Sequence, residues 1–188
     1  AAVSEVDASG YEKLKTTAAK TSHSTSDQVV LPSIFLEGDI NESLGIAIGI
    51  DFIPVQADVG SGANNGDDDA ETSGTNSVRA KFKNHITLYL VKDLVGGAYI
   101  KAGWHNVTLV TDDNNSTGAT YGDQSLNGVT VGVGIERDLA NDSFLKVEAA
   151  YSDYDSATFK STGSDAVTTV ELEELDVTQL RISVGKRF

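Results

Sequence analysis

The sequence predicts an all-β fold: a closed antiparallel up-and-down barrel of about eight strands, formed as one domain over residues 1–188. Three observations predict it. Apolar residues recur at every second position through most of the chain, the period of a strand with one apolar face. Tight connectors alternate with long polar ones, so successive strands pair as hairpins. The last residues, 180–188, keep a regular alternation where a soluble chain usually frays.

The strands fall near 1–14, 29–38, 44–57, 78–91, 97–110, 127–137, 143–154 and 173–188. The first, VSEVDASGYEKL, alternates least. The second sets Ile34, Leu36 and Ile40 against Ser33, Phe35 and Glu37. The third sets Leu44, Ile46, Ile48, Ile50 and Phe52 against Gly45, Ala47, Gly49 and Asp51. In the fourth, Ala80, Phe82, Ile86, Leu88 and Leu90 oppose Arg79, Lys81, Lys83, His85, Thr87 and Tyr89. In the fifth, Ala98, Ile100, Ala102 and Trp104 oppose Tyr99, Lys101, Gly103 and His105. The sixth opposes Val129, Val131, Val133 and Ile135 to Thr130, Gly132, Gly134 and Glu136. The seventh opposes Leu145, Val147, Ala149 and Tyr151 to Lys146, Glu148, Ala150 and Ser152. In the last, Leu180, Ile182, Val184, Lys186 and Phe188 share a face, with Gln179, Arg181, Ser183, Gly185 and Arg187 on the other. AVTTVELEELDV hints at a helix but reads as the start of this strand. Short connectors lie at 39–43, 92–97 and 138–143; the long ones, near 16–28, 58–77, 111–127 and 155–169, are acidic and rich in Gly, Ser, Thr and Asn.

Composition narrows the function. Acidic side chains number 28 against 14 basic, a net charge of −14, which excludes a basic footprint for nucleic acid and a basic patch for anionic lipid. No cysteine is present, so disulfides and thiolate metal sites are excluded. No apolar run reaches the ~18–20 residues of a membrane helix. The opening AAVSEVDASG lacks the basic start and apolar stretch of a secretory signal and suits a chain already processed.

Alternation alone does not say which face meets water: a soluble barrel turns its apolar face inward, a membrane barrel outward to lipid. Three features favour lipid. The polar face mixes charges of both signs (Glu37, Asp51, Lys81, Lys101, Glu136, Lys146, Glu148 and Arg181) with Gly45, Gly49, Gly103, Gly132, Gly134 and Gly185. Glycine weakens a solvated strand but makes room inside a narrow tube, where opposite charges must pair; a serine at Gly49 is expected to be mild there. Every long connector falls at one end, as in outer-membrane barrels. A terminal strand is required because lipid leaves no backbone group unpaired, and Phe188 suits the aromatic interface.

The stretch LRISVGKRF resembles the C-terminal assembly signal of outer-membrane β-barrel proteins. That resemblance implies that Leu180, Ile182, Val184 and Phe188 are read by the barrel assembly machinery. Lys186 stands where many members carry an apolar or aromatic residue. The whole chain is similar in pattern to small barrels of the outer-membrane protein A transmembrane-domain and opacity-protein type, which implies a bacterial outer-membrane location.

Chemistry is sparse. His85 and His105 share the polar face and could pair with Glu136 or Glu148 as acid and base, but no ordered nucleophile–base set and no GxSxG stands out, so no enzyme activity and no cofactor are expected. Residues 67–71 (DDDAE) and 112–115 (DDNN) carry oxygen ligands without a calcium-loop spacing, so no metal site is expected, only weak cation association that could bridge to lipopolysaccharide. The function expected is a structural or interaction barrel in outer-membrane lipid, filled by side chains and displaying acidic loops to self-associating copies or a surface partner. A narrow porin-like channel is the alternative, and a soluble lipocalin-like binding barrel a second. Lys101 and Glu136, on neighbouring strands, are the suggested ion pair.

Overall fold

The alternating segments all become strand. The computed structural model describes residues 1–14, 18, 20–66, 74–114, 120–162 and 168–188. Among them run β1 (Ala2–Leu14), β2 (Lys20–Leu31), β3 (Ile34–Asn41), β4 (Ile46–Ile53), β5 (Ala57–Gly66), β6 (Gly74–Asp93), β7 (Ala98–Asn114), β8 (Gln124–Asp138), β9 (Ser143–Tyr154), β10 (Ala157–Lys160) and β11 (Thr168–Lys186). Short 3-10 turns at Glu42–Leu44 and Val95–Gly97 make two of the tight connections. The third turns through Asn141 and Asp142, both left-handed with φ of 60° and 58°.

The closed eight-stranded barrel is not what forms. Eleven antiparallel strands make one open sheet whose order is β2-β1-β11-β9-β8-β7-β6-β4-β3, with β10 on β11 and β5 on β6. The count rises because two expected strands are broken, because β2 and β5 extend into expected connectors, and because β10 forms within the expected connector 155–169. Pro32 separates β2 from β3, Pro54 separates β4 from β5, and Asp155 and Ser156 separate β9 from β10. A proline has no N–H to give a ladder. The sheet stays open because its path ends in β2 and β3, and among the described residues no ladder joins β2 to β5 or β3 to β11. The sheet nevertheless curls until its ends approach: β2 runs alongside β5, and the rings of Phe35 on β3 and Phe144 on β9 meet edge to face at 6.1 Å.

The strands also reach further than expected. Much of the sequence assigned to long connectors is ladder: β1 pairs with β2 from Ala2↔Leu31 to Lys13↔Lys20, and β5 with β6 as far as Gly66↔Gly74. The acidic stretch 67–71 lies outside the described residues.

Burial divides the long strands β7, β8, β9 and β11 in two. Toward the tight turns the apolar face is exposed and the charged face buried. Leu180, Ile182 and Val184 are 55%, 56% and 67% exposed, while Arg181 between them is 8% exposed. Val129, Val131, Val133 and Ile135 are exposed on β8, and Val147 and Tyr151 on β9, with Lys146 and Glu148 buried on the opposite face of β9. Toward the other end the pattern reverses on the same strands. Val107 and Leu109 on β7, Leu126 on β8, Tyr154 on β9 and Leu175 and Val177 on β11 turn inward, and Asp153, Glu174 and Thr178 turn out. The inward side of β7 thus reads Tyr99, Lys101, Gly103, His105, Val107, Leu109 without a break in register. The soluble arrangement, apolar within and polar without, holds only for this second half.

Candidate functional site

The interior of the curl is the site, and it has three levels. The first, near the tight turns, is charged. Asp51 on β4 pairs with Arg181 on β11, and Ser33 donates to Asp51 Oδ2 at 3.2 Å. Lys101 on β7 pairs with Glu148 on β9, whose Oε2 accepts from the Tyr99 hydroxyl at 3.0 Å. Lys146 sits between Glu37 at 2.6 Å and Glu136 at 3.1 Å, and the Tyr89 hydroxyl donates to Glu37 Oε2 at 3.2 Å. Lys101 also stands over the Tyr89 ring at 4.9 Å, and Lys146 over the Tyr99 ring at 5.1 Å. Two of these pairs, Asp51–Arg181 and Glu37–Lys146, tie the β3–β4 end of the sheet to β11 and β9. Side chains therefore join what the ladder leaves open. At the rim Arg187 reaches Glu136 and, at 2.5 Å, Asp138; the Asp138 hydrogen bond leads in raising its guanidinium above the ordinary value.

Glycines make this level possible. A Cβ on Gly49 would lie 2.2 Å from Tyr89, one on Gly134 2.4 Å from Tyr99, and one on Gly185 2.1 Å from Phe144. The rings occupy the space the glycines leave, so even serine at Gly49 is not the mild change expected of it.

The second level is a ring cluster over a cavity. His105 stacks on Tyr154 with centroids 4.2 Å apart, and the Tyr154 hydroxyl meets His85 Nε2 at 3.0 Å. The third level is apolar: Val6, Val59, Phe82, Val107, Leu109, Leu126, Phe159, Leu175 and Val177 pack together with Tyr154.

Seven of the eight charges expected inside meet there. Lys81 does not: it lies on the other side of the sheet, paired with Asp112 at 3.2 Å, with side chains 27% and 64% exposed. The cause is a register shift between Lys83 and Ile86, where Asn84 takes φ 54° and exchanges the faces of β6. Phe82, expected outside with Leu88 and Leu90, turns in by the same shift. The Lys101–Glu136 pair is also corrected: Lys101 takes Glu148, and Glu136 takes Lys146 and Arg187. The two histidines sit together beside Tyr154, away from Glu136 and Glu148, whose partners are lysines and Arg187. Of the terminal residues, Leu180, Ile182 and Val184 project from the exposed apolar face, and Phe188 lies past the end of β11, fully exposed. Among the described residues, no group of three or more His, Asp or Glu is placed to hold a metal ion.

The apolar third level escaped the sequence reading. Its signal was present: on β7 the inward positions pass from Lys101 to Val107 and Leu109 while the outward ones pass from Trp104 to Asn106 and Thr108.

A family model described as outer membrane protein β-barrel domain matches residues 3–188. No curated protein matches the chain.

Proposed function

The chain belongs to the outer membrane protein β-barrel domain family, and from that premise we propose that it is a structural and interaction barrel whose lumen is filled by its own side chains. The observation that carries this reading is the crossing of the interior by ion pairs between distant strands, Asp51–Arg181 and Glu37–Lys146. Buried charges cost several kcal/mol each when unpaired, so a pathway through them must break pairs. Above them the apolar level offers an ion no partner at all. The exposed belt of Val, Ile and Leu then meets outer-membrane lipid, and the loop-end wall, with Glu5, Asp7, Asp153, Glu174 and Asp176 on its outer side, faces water, lipopolysaccharide headgroups or a surface partner. Leu180, Ile182, Val184 and Phe188 are offered to the assembly machinery as the terminal strand. The test is conductance of the purified protein in a planar bilayer. No steady current is expected; large, stable single-channel steps would replace this reading with the narrow porin-like channel.

A further inference from the structure

The chain has two prolines, and they face each other. The β3–β4 ladder pairs Ile34 with Phe52; two residues further in the same register, Pro32 opposes Pro54. Neither can donate to a ladder, and beyond them β2 and β5 run side by side unpaired. Only side chains seal this seam: Leu31, Ile53 and Ala57 form a small buried cluster with Val29 against it. The seam starts at the edge of the apolar belt. Val30 and Ile34, on either side of Pro32, are 68% and 66% exposed, and the next outward positions on β2 are Gln28 and Ser26.

Behind the seam lies the cavity of the second level, lined by Leu31, Ile53 and Ala57 on one side and by polar groups on the other. Five buried polar atoms of its lining have no hydrogen-bond partner: Ser4 Oγ, Asp51 Oδ1, His85 Nδ1, His105 Nε2 and Arg181 Nε. Ser4, Asp51 and His105 are 0%, 2% and 1% exposed. Unpartnered buried polar atoms are costly and rarely left so. The charges around them are already balanced, Arg181 by Asp51 and Lys101 by Glu148. A neutral group that both donates and accepts suits them; an added ion would be buried unpaired.

The geometry points to a binding site for a neutral polar head on a single alkyl chain, an alcohol or primary amide, entering sideways from the membrane between β2 and β5. The head reaches the His85–His105–Ser4 side of the cavity, and the chain replaces the contacts of Leu31, Ile53 and Ala57 and trails through the seam into the apolar belt. The inference rests on the bilayer placement proposed above.

The test uses full-length protein in lipid nanodiscs with isotope-labelled histidine. His23, exposed on β2, is the internal control. Titration with 1-decanol is expected to shift the imidazole signals of His85 and His105 and leave His23 in place. Decane should shift none of them, and decanoate at alkaline pH should bind at least tenfold more weakly. Ala57→Phe, or Val29→Phe if the first variant does not insert, should weaken the decanol response at least tenfold by filling the mouth. Equal responses to decane and decanol, or none to decanol, overturn the site; an undiminished response in the plugged variant overturns the entry route. Failure of the bilayer placement is read separately, as protein that does not co-purify with the nanodiscs.

Discussion

The two halves of the interior solve opposite problems with the same strands. Near the tight turns the inner wall holds Asp51, Lys101, Lys146, Glu148 and Arg181 and the outer wall is apolar. Near the loops the inner wall holds Phe82, Val107, Leu126 and Leu175 and the outer wall is polar. On the bilayer placement proposed above, the first half has no aqueous outer surface for its charges, and they pair across the curl. On the same placement the second has water outside, and its apolar residues pack inward as in a soluble barrel. The comparison teaches that one regular strand can carry both patterns: on β11 the register runs unbroken from Leu175 to Gly185 against its partners while the chemistry of each face changes at Thr178–Leu180.

The sharpest way to break this contrast is to strand a charge. Glu148→Ala leaves Lys101 buried without its partner and should cost about 3–5 kcal/mol. The double change with Lys101→Ala should cost less than the sum of the singles. Urea unfolding in bilayers checks both, and strict additivity would deny the pairing. In the other half the corresponding loss is a cavity. Leu175, 2% exposed, should cost about 2–5 kcal/mol on Leu175→Ala, by the same assay. A value near zero would mean that the apolar level is loosely packed.

The outer wall separates the halves more finely. Ile48→Arg places a charge on the apolar belt and should cost about 2–4 kcal/mol. Thr178→Arg, outward on β11 just beyond the belt, should stay within about 0.5 kcal/mol. Equal costs would erase the boundary between the two environments.

The half near the tight turns was legible in the sequence because alternation there is strict: β9 occupies 143–154 as read, and its lysine and glutamate fall on the buried face. The other half was hidden by its composition. β2, KTSHSTSDQVVL, has no apolar residue before Val29, so a strand with a wet outer wall passed for a loop. The faces of β6 were misread before Asn84, at Lys81 and Phe82, since nothing in RAKFKNHITLYL announces a register shift. Which charges pair was not legible either. Partners such as Glu37 and Lys146 are 109 residues apart and meet only through the curl of the sheet. The two prolines carried more than was read from them, because only the β3–β4 register shows that they oppose each other.

The most direct measurement of the central claim is residue-resolved relaxation of backbone amides by spin-labelled lipid, on the protein in nanodiscs. Strong broadening is expected at 129–135 and 180–184, with little at 106–109 and 174–178 on the same continuous strands. Broadening along the full length of β7, β8 and β11, or none on any of them, would contradict an interior whose polarity changes where the strands leave the bilayer.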